Sequence, residues 1–377
     1  MEMYEKAVYI SSVLNSRAED LDIPESKYLE AKSRYEAVGK WLGQEGTDLS
    51  KYDIEIYPQG SFRLGTVVKP IGKDEYDIDL VCFLGDLKKE DTSQTELKQM
   101  VGNRIKENET YKKILEDEEG GRRCWTLDYA NEFHMDILPS IEDAELRAQD
   151  IKFKDAILIT DKKKIENGDP EWPKSNPKGF ADWFFQQQME IFQSRKKALA
   201  EMVKASVEDV PDYKVRTPLQ RAIQVLKRHR DIYFLKKDGK NKPISIIITT
   251  LMASLYEGQD NVFNVIYDVL NKVSDDLLRK DGKYAVSNPV NPGENFADKW
   301  NEDSSLPKAF FEWIGAAKNT FCGKALDQKD KMEIGAMLNE SMGFSKDKAV
   351  TNESTSKPVY VKTSGHKNNQ PWQAESN

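Results

Sequence analysis

The sequence predicts an α/β protein in which a lobe built on a β-sheet is followed by a helical lobe. The first half carries short apolar segments, several with strand-like alternation, whereas apolar residues after Phe180 recur at helical spacing. Between the halves, residues 167–179 contain three prolines and two glycines, which is typical of a crossing between lobes. The expected segments are N-terminal helices packing on both lobes at 1–50, the sheet lobe at 51–170, the helical lobe at 171–344 and a disordered tail at 345–377.

The individual elements follow from the same patterns. Two N-terminal helices are expected to begin near Met3 and Pro24, where apolar residues recur every three or four positions. A Thr217-Pro218 pair starts a later helix, because threonine is a good N-cap and proline is tolerated at the first helical position. The tail is rich in Ser, Thr, Lys and Asn and has few apolar anchors. Further expected elements are strands at 53–57 and 77–84, helices at 95–108 and 111–118, a hairpin of strands 122–129 and 132–138, a second hairpin at 155–164, a helix at 219–234, and a helix or buried strand at 243–256.

The composition describes a polar, acidic protein. Charged residues make up 32% of the chain, hydrophobic residues 38%, and the formal net charge is −8. This charge argues against a surface that binds nucleic acid along its whole extent, which would carry a basic face. The three cysteines form no CxxC pair, the N-terminus lacks an apolar signal segment, and no apolar run reaches about 18 residues. We therefore expect a cytoplasmic protein without disulfides, membrane association or an extended nucleic-acid surface.

Two aspartates in one apolar strand are the most informative feature of the chain. Asp77 and Asp79 lie in a segment where a carboxylate is a poor strand former and costly to bury. Residues i and i+2 of a strand point to the same face, about 6–7 Å apart. Carboxylates held in this way can bind the two divalent cations, about 4 Å apart, of a phosphoryl-transfer site. Taken alone, the pair is also compatible with two solvated carboxylates at a strand end.

A glycine–serine turn precedes this strand, and a third aspartate follows it. In Gln59-Gly60-Ser61, backbone amides and the serine hydroxyl can donate to phosphate oxygens, although an ordinary glycine turn explains the dipeptide alone. Downstream, Asp136 is the acidic residue of an otherwise non-acidic stretch at 133–139. If that strand neighbours the first, three carboxylates meet at one point. We interpret the nearby His134 as structural.

The order of these motifs resembles the polymerase-β superfamily of nucleotidyltransferases. More narrowly, QGSFRLGT at 59–66 and DEYDIDLV at 74–81 are similar to the cGAS/DncV-like nucleotidyltransferases (CD-NTases) of bacterial CBASS antiphage systems. The segments at 219–231, 243–247 and 288–296 are similar to that family's helical lobe. The resemblance therefore spans most of the chain, from about residue 54 to 300.

This resemblance implies a polymerase-β-like catalytic lobe, a helical second lobe and an active site in the cleft between them. It also implies that Asp77, Asp79 and Asp136 are catalytic and hold two Mg²⁺ ions, with Mn²⁺ as an alternative.

The resemblance further implies that both lobes bind the nucleotide. Gln59, Gly60 and Ser61 would hold phosphates from the first lobe, and Lys227 and Ser245 would do so from the second. Residues 216–242 hold nine Lys or Arg against two Asp in a chain that is acidic overall, which favours an anion-binding wall. A solvated cationic helix is the alternative explanation for any one of these charges.

The predicted activity is template-independent joining of NTPs, ATP among them, into a cyclic di- or trinucleotide second messenger of antiphage defence. Pyrophosphate is released, and sensor or modifying proteins of a CBASS system are the expected partners. Two alternatives remain open. One is a linear oligonucleotide synthase or a tRNA- or RNA-end nucleotidyltransferase of the same superfamily. The other is a non-catalytic homologue that binds nucleotides.

Overall fold

The described chain contains one six-stranded sheet, two small two-stranded sheets and many helices. A computed structural model describes residues 3–72, 75–130, 133–204, 206–208, 210–237, 239–328 and 330–350. Its helices are α1 Met3–Asp20, α2 Glu25–Leu42, α3 Gly60–Leu64, α4 Gln94–Lys106, α5 Glu109–Lys113, α6 Ala144–Arg147, α7 Lys162–Glu166, α8 Pro177–Gln186, α9 Met189–Val203, α10 Pro218–Leu235, α11 Ser245–Ser254, α12 Val262–Lys272, α13 Ser305–Lys318, α14 Ala325–Asp327 and α15 Lys331–Ser341. Its strands are β1 Ile54–Pro58, β2 Tyr76–Leu84, β3 Trp125–Tyr129, β4 Phe133–Glu142, β5 Ile157–Ile159, β6 Lys174–Ser175, β7 Arg279–Lys280, β8 Lys283–Tyr284, β9 Ser287–Asn288 and β10 Asn291–Asn295.

These elements form two compact units. The sheet unit comprises Ile23–Trp183 and Pro289–Glu294, and the helical unit comprises Met1–Asp22, Phe184–Asn288 and Asn295–Asn377. Helix α1 therefore belongs to the helical unit and α2 to the sheet unit. Within the described ranges, no helix is long and apolar enough to cross a membrane.

The sheet unit is organised around the pairing of β2 with β4. The strand order is β1-β2-β4-β5-β6, and β3 pairs with β4. Strands β2 and β4 are parallel, whereas the other pairings in this sheet are antiparallel. Because β4 is ten residues long, β3 pairs with its first half and β5 with its last three residues. The expected hairpin of β3 and β4 is present, although Asn131 in its turn lies outside the described residues.

The two faces of this sheet differ in what they bury. One face presents Ile78, Leu80, Met135 and Ile137, all at most 2% exposed, to a core that α2 and α4 complete. Helix α4 begins at a capping box, in which Ser93 and Glu96 satisfy each other's backbone N–H groups. The alternate residues of β2 and β4 point to the opposite face, and these include the predicted aspartates.

The hairpin predicted at 155–164 is wrong. Only the short β5 forms there, and the chain then enters α7. Asp161 caps this helix by accepting the backbone N–H of Lys163 at 3.1 Å, and Arg122 donates to its carboxylate at 2.8 Å. An aspartate engaged in this way favours a helix start over a second strand.

Helix α10 lies at the centre of the helical unit, where α1, α11, α12, α13 and α15 pack against it. Its polar residues up to Arg230 are buried together with its apolar ones, so this part of α10 is not the solvated cationic helix that was the alternative explanation of its charges. Arg221 and Gln224 donate to the Asp22 carboxylate at 2.7 and 2.9 Å. Hydrogen bonds of this kind offset the cost of burying polar groups.

Two further segments of the helical unit, residues 243–256 and the chain after Phe344, can be compared with the expectations from the sequence. Residues 243–256 form the helix α11 rather than a buried strand. Beyond Phe344, the described chain still makes contacts: Arg17 donates to the carbonyl of Ala349 at 2.5 Å, and Asn339 to that of Lys348 at 3.0 Å. The rest of the segment 345–377, for which disorder was predicted, lies outside the described ranges from residue 351 onward.

Candidate active site

A row of polar side chains crosses three strands of the sheet unit. Asp79 of β2 lies opposite Asp136 of β4, and Thr126 of β3 lies opposite Asp136 on its other side. The Thr126 hydroxyl donates to Asp136 Oδ1 at 2.6 Å. Both aspartates are half-buried. The parallel pairing of β2 with β4 therefore brings two of the three predicted metal ligands onto neighbouring strands, in register and on one face.

The predicted phosphate turn is joined directly to this row. The backbone N–H of Gln59 donates to the carbonyl of Asp79 at 2.8 Å. Gly60 has a φ of +61°, a conformation that favours glycine. A Cβ atom at Gly60 would lie 2.2 Å from Asp79 Oδ2. Glycine is thus required twice here, for its backbone angle and for the space that the carboxylate occupies.

Ser61 follows in the first turn of α3, whose apolar side anchors it. Phe62 and Leu64 are buried, and Gly65 ends the helix in the left-handed conformation. The carbonyl of Ser61 accepts the N–H of Thr66 at 3.0 Å. The turn is therefore held on both sides of the serine, whose own side chain is half-buried.

A second polar row lies two residues nearer the starts of β2 and β4. Asp77 of β2 lies opposite His134 of β4, and Asp128 of β3 lies opposite His134 on the other side. Asp77 is 78% exposed at its side chain. Among the described residues, Glu75, Asp128 and His134 offer ligand atoms that all lie within 4.8 Å of one another, whereas the predicted triad does not form such a set.

A thiol borders the first row on the side away from the second. Burial, together with the nearby charges of Asp136 and Asp79, raises the pKa of Cys124 to about 12. The thiol is therefore neutral at physiological pH, and it packs against the apolar cluster that includes Val81 and Leu138. On this face of the sheet, the side chains that follow Asp79 and Asp136 are therefore apolar rather than polar.

The other two predicted residues, Lys227 and Ser245, belong to the helical unit. Lys227 lies on α10 and is 5% exposed. Ser245 is the first residue of α11, and its hydroxyl accepts a hydrogen bond from Arg230 at 3.0 Å. Arg230 also donates to the carbonyl of Pro243 at 2.9 Å, which fixes the start of that helix.

The sequence interpretation missed the residues that β3 and the start of β2 contribute. Thr126 and Asp128 alternate with buried Trp125 and Leu127, so the alternation predicted that they share a face. Pairing with β4 then puts Thr126 beside Asp136. Glu75 carried no signal, because it precedes the strand and its proximity to His134 depends on tertiary structure.

Known proteins with similar sequences identify the family. A profile of the family described as cyclic GMP-AMP synthase DncV-like, nucleotidyltransferase domain, matches residues 54–139. The c-di-GMP synthase of Roseivirga ehrenbergii is 34% identical over 340 residues, which cover 88% of this chain and 84% of that protein. This chain belongs to the DncV-like nucleotidyltransferase (CD-NTase) family. A second relative, the cyclic dinucleotide synthase CdnG of Bradyrhizobium diazoefficiens, is 26% identical over 310 residues, 78% of this chain and 70% of that protein.

Solved CD-NTase structures share the fold. CdnG of Bradyrhizobium diazoefficiens in complex with GTP superposes with a TM-score of 0.66 at 22% identity, covering 88% of this chain and 98% of that one. CdnC of E. coli MS115-1 with ATP gives a TM-score of 0.59 at 15% identity, covering 90% and 98%. The predicted α/β nucleotidyltransferase fold and enzyme class are confirmed. Cyclic-nucleotide synthesis, also predicted, is the activity that both named relatives carry.

Proposed function

We propose that this CD-NTase joins two GTP molecules into cyclic di-GMP, with release of two pyrophosphates. The observation that carries the proposal is the row formed by Asp79 and Asp136, with Gly60 packed against Asp79. The choice of GTP rests on the 34% identity to a c-di-GMP synthase. ATP, the nucleotide expected from the sequence, is the alternative substrate.

The donor set of the predicted site suits Mg²⁺. Asp77, Asp79 and Asp136 offer carboxylate oxygens, the ligands that this hard cation prefers. The hydroxyl of Thr126 donates to one oxygen of Asp136 at 2.6 Å, which orients the other oxygen. We propose that these three carboxylates hold two Mg²⁺ ions, with Mn²⁺ as a substitute. When bound, such ions neutralise phosphate charge and lower the pKa of an attacking hydroxyl.

The turn at Gly60 and Ser61 would hold the β- and γ-phosphates. Its backbone N–H groups and the serine hydroxyl are donors of the kind that bind phosphate oxygens. Since Gln59 N–H donates to the Asp79 carbonyl at 2.8 Å, the turn and the metal-binding strand are held in one register. Each NTP would therefore be positioned by the same strand whose carboxylates bind its metal ions, and positioning is a large part of catalysis in phosphoryl transfer.

Lys227 and Ser245 would contact phosphates from the helical unit. The proposal for Lys227 follows the family resemblance and its cationic charge. Ser245 is oriented by Arg230, whose guanidinium donates to its hydroxyl at 3.0 Å. In that arrangement the Ser245 hydroxyl hydrogen is available to a phosphate oxygen.

In each of the two condensations, a ribose hydroxyl oxygen forms a bond to the α-phosphorus of the other nucleotide. The bond from that phosphorus to the pyrophosphate oxygen breaks, and the hydroxyl proton leaves to solvent. The second condensation closes the ring, so the product has no terminal phosphate. A linear synthase would stop earlier and leave one.

Product analysis with a carboxylate variant tests this function. Purified protein with GTP and Mg²⁺ should release pyrophosphate and form a phosphatase-resistant product. The double variant Asp77→Ala with Asp79→Ala should lower the rates of pyrophosphate release and of product formation by at least about 1000-fold, because the charge-neutralising site is lost. The control is Asp86→Ala, an exposed carboxylate just after β2, which should leave the rate unchanged. Equal product from the double variant and the control would refute the assignment.

A further inference from the structure

The second polar row contains a set of metal-binding side chains that the proposed reaction does not use. Nε2 of His134 lies 3.5 Å from Glu75 Oε2 and 3.8 Å from Asp128 Oδ1. These three ligand atoms lie within 4.8 Å of one another. They come from the lead into β2, from β3 and from β4, so tertiary structure assembles them. One face of the sheet thus carries this set next to the predicted Mg²⁺ ligands, of which Asp77 lies in the same row as His134.

The two imidazole nitrogens of His134 face different carboxylates. While Nε2 faces the two carboxylates, Nδ1 lies 3.9 Å from Asp77 Oδ1. Histidines that bind a metal through one nitrogen commonly direct the other toward a carboxylate, which fixes the ring orientation. Asp77 lies on that side of the ring, at a distance longer than a hydrogen bond, and remains available to the predicted Mg²⁺ site.

A second observation also points to a cation. Asp128 Oδ1 is shielded from solvent and has no hydrogen-bond donor within the described part of the chain. The Asp128 side chain as a whole is 45% exposed, so an ion can reach the carboxylate even though this one oxygen is shielded. A shielded carboxylate oxygen without a donor has an unfilled acceptor site, and a metal ion is one way to fill it. The His134 side chain is 38% exposed, so an ion can reach the set from solvent.

We propose that Glu75, Asp128 and His134 bind a divalent transition-metal ion of the Mn²⁺ or Zn²⁺ class, separate from the predicted Mg²⁺ site. One imidazole nitrogen with two carboxylates is a ligand set that such ions accept, whereas Mg²⁺ favours oxygen ligands throughout. Binding needs no nucleotide, so this site stands or falls independently of the proposed product.

The experiment counts Mn²⁺ ions bound to metal-stripped, full-length protein and asks whether one is bound to nitrogen. Electron paramagnetic resonance titration gives the number of sites, and electron spin echo modulation detects a directly bound ¹⁴N. The background variant carries Asp79→Asn and Asp136→Asn, which weakens the predicted Mg²⁺ site and leaves the second row intact. We expect one Mn²⁺ per chain with a ¹⁴N signal. His134→Gln should abolish the signal, and Asp128→Asn should weaken Mn²⁺ binding by at least about tenfold.

Asp86→Asn, in the same background, is the matched control and should leave the Mn²⁺ affinity unchanged. Circular dichroism and thermal melting of each variant verify folding, and Asp128→Asn provides a second test if His134→Gln does not fold. Absence of a ¹⁴N signal at saturating Mn²⁺, or its persistence in His134→Gln, would overturn the proposal. Persistence would mean that a different histidine binds the ion.

Discussion

Replacing Gly60 by alanine tests the link between the proposed phosphate turn and the strand proposed to bind metal. The new Cβ would lie 2.2 Å from Asp79 Oδ2, and contacts of this kind are essentially never shorter than 3.0 Å. The contact must therefore lengthen by about 0.8 Å. We expect the Asp79 carboxylate to move, because its side chain rotates more easily than the strand shifts. A displacement of about 1 Å in a catalytic group costs on the order of 100-fold in rate.

The same substitution also has a cost in stability. Alanine at a φ of +61° is disfavoured by about 1–2 kcal/mol. Gly72→Ala is the matched control, because Gly72 has a φ of +73° and a Cβ there would meet no atom of the described residues within 4 Å. Both variants should lose similar free energy of unfolding, measured by urea denaturation, whereas only Gly60→Ala should lose about 100-fold in the initial rate of pyrophosphate release. Equal rates for the two variants would refute the argument that Asp79 needs this space.

The remaining predictions concern stability. Gly102→Ala should destabilise the protein by about 1–3 kcal/mol, because a Cβ would lie 2.0 Å from the Trp125 ring. A Cβ at Gly315 would meet no atom of the described residues within 4 Å, so Gly315→Ala should stabilise α13 by up to about 1 kcal/mol. Thermal melting of the two variants compares these effects, and equal shifts in Tm would contradict the prediction. Burial lowers the pKa of His229 to about 4, so the unfolded chain binds the proton more readily and the free energy of unfolding should fall as pH drops from 6.5 to 4, by on the order of 3 kcal/mol from this group. His229→Gln does not titrate and keeps an acceptor for Trp313 Nε1, so it should show a shallower pH dependence in urea unfolding, and an unchanged slope would contradict the assignment.

Strand periodicity explains how much of the site was predictable. Asp77 and Asp79 alternate with buried Ile78 and Leu80, so the face that carries the carboxylates follows from the sequence. The parallel pairing that brings Asp136 next to Asp79 does not follow, since a register between distant strands depends on the whole fold. From the sequence, we could say only that Asp136 would lie near Asp77 and Asp79 if their two strands were neighbours.

Helix α10 shows where periodicity misleads. A polar stripe on an amphipathic helix predicts exposure when only one side is packed. In this protein, five helices surround α10, and Lys227 and Arg230 are buried with it. The sequence gives no indication that a partner such as Asp22, on the loop after α1, satisfies a buried arginine of this helix. At 155–164, where a hairpin was expected, Asp161 instead caps a helix, and the same carboxylate accepts a hydrogen bond from Arg122, which lies far away in sequence.

The most direct test of the proposed function is the mass and end structure of the product made from single nucleotides. Purified protein is incubated with Mg²⁺ and α-labelled GTP, and separately with each other NTP, then treated with phosphatase and analysed by mass spectrometry. The account predicts a phosphatase-resistant product with the mass of two GMP units minus two waters, formed from GTP alone and in a ratio of one ring to two pyrophosphates. A phosphatase-sensitive linear product, or no product from GTP without a second nucleotide, would contradict it.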